Sequence, residues 1–385
     1  MKILILKPQN ICYGIVDAFA VNFGNALAKS GIEVIYYDLK TEPIERLLSY
    51  LKERYKAVID FYSGLLKVTV GDGDQYLWNY MDIPVYQICL DFPVYIIDKM
   101  DAVIHKHYAL CLDRHYCSVI KECMPHITGS YFFPMAGREG NERLPWEERI
   151  YDIVFLGSYS NYREWLTQLD QCELGVKNVG YTFFFNLRDN IQLDQKQAFE
   201  KTLKQLNIQL SNSEFYQWFK MIGGIAMSAA AYQREQLIKT LLEAGLKIEV
   251  YGDSWKHSPF VQYQNLEIHE QVSESEYITV MEKAKLSLNI MYCNKAGYTE
   301  RYAYSMLNGA VCISDESEYL CEEFKDGENI VFYRLDELDK LPEKIKWLFD
   351  HPAEAQEIAD AAYSKAKKEH TWEERAERFL ELLEA

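Results

Sequence analysis

Long apolar runs are missing from this chain. No stretch of its 385 residues approaches the ~20 consecutive apolar positions that a membrane-spanning helix needs, so no integral membrane segment is expected. The start, MKILILKPQN, has one lysine followed by four apolar residues, too few for the core of a secretory leader. It reads instead as a first strand. Blocks of lysine or arginine are missing too, and the formal net charge is −17. A surface this acidic repels a phosphate backbone, so a nucleic-acid groove is not expected. A small local basic pocket for one pyrophosphate is still compatible with it. The nine cysteines contain no C-x-x-C pair. Cys111, Cys117 and Cys123 recur at every sixth residue with His115 among them, which matches no zinc spacing. Reduced, mostly buried cysteine in a cytoplasmic protein is the expectation. The first loop, LKPQNICYGIVDAF, lacks G-x-G-x-x-G, although Asp38 stands where a dinucleotide fold places its ribose-binding acid. A nicotinamide enzyme is therefore not expected. G-x-S-x-G and P-loop signatures are likewise absent.

What is abundant is tyrosine: 29 Tyr, beside 18 Phe and 7 Trp. Tyrosine offers rigid area with a polar tip, suited to sugar and nucleotide surfaces and equally to a core rim. At about 150 residues per domain the length suggests two domains, or three small ones. The first third alternates strand and helix: strand 2–6, helix 17–29, strand 32–39, helix 44–54, strands 57–61, 85–90 and 108–112, and helix 115–123. That rhythm implies a parallel sheet with ligands beyond the carboxyl ends of its strands. His105 and His107 fall in a loop before the third of those last strands and read as solvated.

The run FPMAGREGNERLPWEE breaks the rhythm with two prolines, two glycines and six charges, and reads as a linker. The expected division is therefore an N-terminal domain over 1–136, a linker over 137–150, a second α/β domain over 151–365 and a terminal helix over 366–385. Residues 161–225 are helical in character and read as an insert, with the aromatic run YTFFF at 181–185. The rhythm resumes at Gln233 and continues with strands 247–251, 266–269, 287–291, 310–314 and 328–332.

Two strands of the second domain end in glycine, at Gly157-Ser158 and Gly252-Asp253, where backbone N–H groups can approach a ligand. The stretch GYTERYAYSMLNGAVCIS places Arg301 in the first turn of a helix that Thr299 can cap. A helix N-terminus carries about half a positive charge, so a cation there is unfavourable by a few tenths of a kcal/mol unless an anion joins it. A pyrophosphate would accept from both the N–H groups and the guanidinium. A salt bridge to Glu300 or another surface carboxylate is the plain alternative. The lone DGD at 72–74 follows a short apolar run and reads as a turn, so no metal is expected at the anion.

These pieces carry a resemblance. FFPMAG…RIYDIVFLGSY, QREQLIKTLLEAGLKIEVYGDSW and KAKLSLNIMYCNKAGYTERYAYSMLNGAVCISDESEYLCEEFKDGENIVFY, with the ending HPAEAQEIADAAYSKAKKEHTWEERAERFLELL, occur in order. Together they resemble the spore-maturation (CgeB-like) branch of the GT-B glycosyltransferases. The resemblance implies an α/β GT-B fold of two facing Rossmann-like domains, here with a helical insert in the C-terminal one. It implies a bacterial, metal-independent glycosyltransferase with no permanent cofactor, whose donor is a nucleotide-diphosphate sugar of UDP type. The acceptor (glycan, protein or small molecule) is not specified. The donor would be bound by Gly157, Ser158, Gly252, Asp253, Asn289, Tyr298, Arg301 and Tyr304. Arg301 falls on the family's arginine and Gly309 on its helix-ending glycine, whereas Tyr304 stands where the family has glutamate. A catalytically silent nucleotide-sugar binder or an epimerase on the same scaffold are the alternatives. A base for the acceptor hydroxyl is expected at an N-terminal strand end, at Asp91, with its pKa raised by partial burial against Phe92 and Val94, or at Asp17.

Overall fold

The structure, a computed structural model, describes residues 1–9, 14–50, 52–73, 75–290 and 294–384. Residues 10–13 of the first loop, Asp74 of the DGD turn and Met291 of the strand expected over 287–291 lie outside the described residues. The chain divides into two compact units. Unit 1 is Met1–Arg138 with Lys368–Ala385, and unit 2 is Glu139–Lys367.

Unit 1 holds six parallel strands: β1 (Lys2–Leu6), β2 (Glu33–Tyr37), β3 (Ala57–Asp60), β4 (Val85–Cys89), β5 (His107–Cys111) and β6 (Gly129–Phe132). Their order is β2-β1-β3-β4-β5-β6. The inner strands are apolar on both faces, as a sheet covered by helices on each side requires. Helix α1 (Ile15–Lys29) buries Val16, Phe19, Ala20, Phe23 and Leu27, a 3.6-residue stripe. It starts two residues earlier than the spacing suggests, after Gly14 at φ 83. Helix α2 (Arg114–Cys123) is capped by Asp113, which accepts from the His115 N–H at 2.7 Å. Edge strand β6 escaped the sequence reading because GSYF is short and only half buried.

Unit 2 repeats the plan with β7 (Tyr151–Leu156), β8 (Ile248–Tyr251), β9 (Leu266–His269), β10 (Ala284–Asn289), β11 (Val311–Asp315) and β12 (Val331–Tyr333). All neighbours are parallel and the order is β9-β8-β7-β10-β11-β12. Between β7 and β8 lie five helices: α3 (Arg163–Leu169), α4 (Leu174–Asp189), α5 (Gln195–Gln205), α6 (Asn212–Ile222) and α7 (Gly224–Glu243). The YTFFF run is a turn and a half of α4, and Phe183 packs on Phe199 and Phe219 at 5.6 and 6.0 Å. Asp194 with Gln197 and Ser211 with Glu214 form capping boxes that start α5 and α6. Helix α7 is continuous from Gly224, so one rigid element carries both the insert's apolar face (Ile225, Ala226, Ala229) and a second buried face of Leu237, Ile238, Leu241 and Leu242.

The stretch read as a linker is held to unit 2. Glu282 accepts from the N–H groups of Asn141 and Glu142 at 2.7 and 2.9 Å, and Asn308 from that of Gly140 at 2.7 Å. Arg149 is 3 % exposed and donates to the carbonyls of Leu144, Ala284 and Asn308. Burial lowers its pKa to about 10. After α8 (Glu274–Lys283), α9 (Arg301–Leu307), α10 (Leu341–Asp350) and α11 (Pro352–Glu369), the terminal helix α12 (Trp372–Glu384) belongs to unit 1. Its Trp372 packs on Phe19 and its Phe379 on Phe23, each at 5.6 Å, and Arg375 Nε donates to the Pro134 carbonyl at 2.7 Å.

Candidate functional site

Open parallel sheets bind ligands where strand order reverses, beyond the carboxyl ends. In unit 2 that point lies between β7 and β10. Strand β7 runs into Gly157-Ser158. The Gly157 N–H donates to the Tyr251 carbonyl at 3.2 Å, and its carbonyl accepts from Trp255 Nε1 at 2.7 Å. Gly252 has φ 150, and a Cβ there would stand 3.3 Å from the Gly157 oxygen. Its glycine is thus needed to close two strand ends together. Asp253 is exposed on the following turn, 3.8 Å from Lys256.

Strand β10 ends in Asn289, which is fully buried and anchors the site. Its Nδ2 donates to the Ser314 hydroxyl at 3.0 Å, and its main-chain oxygen accepts from the Tyr333 hydroxyl at 2.9 Å. Its Oδ1 accepts from Arg301 Nη1 at 3.4 Å and from the Thr299 hydroxyl at 3.5 Å. Thr299 therefore does not cap α9, whose N-cap is Glu300 with no side-chain bond. The Arg301 guanidinium points back to the strand end and lies 5.9 Å from the Phe155 ring centre. Arg234 of α7 lies over the same ring at 5.5 Å and donates to the Ser158 carbonyl. Among the described residues, no carboxylate pairs with Arg301. Both arginines act on the buried Tyr333 hydroxyl, which burial raises well above its ordinary pKa and which the two cations pull down. Two guanidiniums over one ring make a seat for a polyvalent anion. Arg234 was missed in the sequence because it sits in mid-helix, where arginine is ordinary.

Two expected donor residues lie elsewhere. Tyr298 is fully buried and packs edge-on against Tyr302 at 3.8 Å. Tyr304 is fully buried, packs on Tyr277 and donates to Glu274 at 2.6 Å. Both sit on the core side of the α9 segment. The turn after α4 reaches the strand ends: Ile191 and Gln192 line a small cavity with Lys295, Asp315 and Arg334.

In unit 1 the reversal lies between β1 and β3. Asp17 pairs with Lys7 and Lys40, each at 3.1 Å, and both lysines also reach Asp38. Asp91 is exposed, not partly buried, because its N–H is turned to the Tyr62 hydroxyl at 3.1 Å and its side chain leaves the sheet. His105 is exposed, whereas His107 is the first residue of β5 and fully buried. Burial lowers its pKa to about 4. A carboxyl not singled out in the sequence, Asp60 at the end of β3, is 1 % exposed. Burial pushes it up to about 6, against the pull of donors on Ser63, Tyr62 and Gln87. The signal was an acid closing the otherwise apolar run AVID.

Among the described residues, Glu249, Glu267 and His269 converge closely enough to hold an ion, but the Lys247 ammonium lies 2.9 and 3.1 Å from the two carboxylates. The group is therefore an ion-pair cluster. Cys111, Cys117 and Cys123 are free thiols and enter no such cluster.

The two reversal-point sheets define the class of fold. Solved glycosyltransferases of the GT-B type share it across the whole chain. The Anabaena Alr3699/HepE structure with UDP and glucose aligns over 100 % of both chains at 10 % identity, TM-score 0.57. An alpha-glucosyltransferase in complex with UDP-glucose and DNA containing an abasic site aligns over 100 % of this chain and 99 % of its own at 12 % identity, TM-score 0.58. Sucrose-phosphate synthase of Thermosynechococcus elongatus aligns over 100 % and 98 % at 11 % identity, TM-score 0.56. In sequence, residues 233–381 match a family described as glycosyl transferase-like, in agreement with the activity expected above. No curated protein matches the chain by sequence.

Proposed function

We propose that the protein is a glycosyltransferase that takes a sugar from a nucleotide-diphosphate donor, of UDP type, held at the carboxyl edge of the unit 2 sheet. The observation that carries this is the pair Arg234 and Arg301 over Phe155 at the strand reversal. The diphosphate lies against the two guanidiniums, so their charge replaces a metal ion. Asn289 fixes the Arg301 fork. The UDP complexes among the structural neighbours support the choice of nucleotide. Within the class, the sequence pieces quoted above support the CgeB-like branch, and the free cysteines support a cytoplasmic setting.

Calorimetric titration with UDP tests this reading. Arg301→Ala weakens UDP binding by about 1.5–3 kcal/mol, the range of a charge-assisted bond, and excess chelator leaves wild-type binding intact. Unchanged affinity in Arg301→Ala, or strict dependence on magnesium or manganese, overturns the site. On the acceptor side Asp91, the more accessible carboxylate, serves as base and Asp17 as control. Asp91→Asn then loses about 10²–10⁴ in transfer rate with donor binding unchanged.

One observation favours a second reading. Tyr304 occupies the family's glutamate position and is spent on Glu274. A silent nucleotide-sugar binder would bind UDP tightly and release none from a panel of UDP-sugars.

A further inference from the structure

Strand β12 is buried along its whole length, Val331, Phe332 and Tyr333, and so asks for apolar side chains. Phenylalanine would fill the last position. The hydroxyl that tyrosine adds there donates to the Asn289 main-chain oxygen at 2.9 Å. That bond is not a local one. Tyr333 stands opposite Asp315 of β11, and Asn289 stands opposite Ser314 of the same strand. The phenol therefore reaches past β11 and ties together the ends of β10 and β12, which are not neighbours in the sheet.

The end of β10 gains from such a tie. Among the described residues β7 pairs with β10 only as far as Ser287, so the sheet holds Asn289 on the β11 side alone. Arg301 in turn depends on Asn289. Among the described residues its guanidinium has one hydrogen bond, to Asn289 Oδ1 at 3.4 Å. That length is near the outer limit for an N–H···O bond, so a small shift of Asn289 breaks it. The phenol also lies in the field of both Arg234 and Arg301, which favours its ionisation. Burial outweighs them and keeps its pKa well above the ordinary value, so it stays a neutral donor to the carbonyl.

We infer that Tyr333 is a positioning residue of the donor site: its hydroxyl, through the Asn289 main chain, fixes the Oδ1 that aims the Arg301 guanidinium at the diphosphate. Its effect on UDP binding rests on the donor-site reading given above, whereas its effect on the placement of Arg301 does not.

Two measurements on the full chain test this. Phenylglyoxal modifies an arginine faster the less it is held, and peptide mass spectrometry reads each arginine separately. In ligand-free Tyr333→Phe, Arg301 reacts several-fold faster than in wild type, while Arg149, buried in the same unit, reacts as before. Calorimetry with UDP is the second. Tyr333→Phe weakens UDP binding about five- to tenfold, the worth of one hydrogen bond. In the Arg301→Ala background the same change has no further effect, because the group it positions is gone. Placing p-aminophenylalanine at position 333 by stop-codon suppression keeps the ring and a donor, and this protein matches wild type in both measurements. If Tyr333→Phe does not fold, the amino variant still tests the tie, since it must behave as wild type does. An unchanged Arg301 rate, a faster rate at Arg149 as well, equal UDP losses in both backgrounds, or an amino variant that behaves like Tyr333→Phe overturns the inference. A wild-type chain that does not bind UDP, with phenylglyoxal rates as stated, would instead strike the donor-site reading and leave the positioning of Arg301 standing.

Discussion

Arg234 and Arg301 share one phenyl ring, and their mutual repulsion in a half-buried setting is the physical reason to expect an anion there. Each alanine variant weakens UDP binding by about 1.5–3 kcal/mol, and the double variant falls short of the sum because both guanidiniums act on one diphosphate. Calorimetry of the four proteins reads this, and a strictly additive result would separate the two sites. A second residue-scale prediction concerns pH. The carboxyl of Asp60 moves from an ordinary 3.8 to about 6 on folding, so the folded chain binds more protons there and stability falls as pH rises from about 4 to 6. The imidazole of His107 moves from 6.5 to about 4, so the unfolded chain binds more protons and stability rises over about 4 to 6.5. At 1.36 kcal/mol per unit each is about 3 kcal/mol, and the two oppose across one window. Urea titrations at several pH values test the balance. Asp60→Asn gains on wild type as pH rises from 4 to 6 and then holds level. A constant difference would show that Asp60 does not titrate in this range.

At the scale of elements, Gly245 and Gly309 each follow a helix with positive φ, at 81 and 75. Both end their helices in the left-handed turn that glycine takes without strain. Their surroundings differ. A Cβ on Gly245 meets nothing within 4 Å, while one on Gly309 would stand 2.4 Å from Arg149 Nη2. Gly245→Ala therefore costs the backbone penalty alone, about 1–2 kcal/mol. Gly309→Ala costs more, since it also displaces a buried guanidinium that joins the 144 loop to the ends of α8 and α9. Denaturation midpoints of the two variants rank them, and equal losses would refute the role given to Arg149.

At the scale of the whole molecule, the last helix belongs to the first unit although the chain reaches it through the second. Phe379 meets Phe23, Tyr86 and Phe133 there. Removing a buried phenylalanine costs about 3–5 kcal/mol. Phe379→Ala should destabilise unit 1 by that amount and leave UDP affinity in place. Calorimetric unfolding with and without UDP separates the two effects, and a parallel loss of UDP binding would show that the units do not bind ligand independently.

Alternating apolar strands and amphipathic helices were legible because a two-sided parallel sheet demands nearly continuous apolar runs, and KILIL, AVID and VYQIC supply them. Arg301 was legible because a cation in a first helical turn contradicts the helix dipole and so asks for a reason. The insert was legible as a break in rhythm, though its aromatic run hid that α4 is one helix of 16 residues. Only the tertiary structure put Arg234 beside Arg301, since a mid-helix arginine carries no local signal and the partner ring comes from β7. Only packing turned Tyr298 and Tyr304 inward, because a tyrosine's tip serves a core hydrogen bond as well as a ligand. The same holds for the carboxylates. Asp91 and Asp60 both close apolar strands, yet one turns to water and the other is walled in, by the turn at Tyr62 and Ser63 that folds back on it and by Gln87 of the neighbouring strand, a partner that only the sheet supplies.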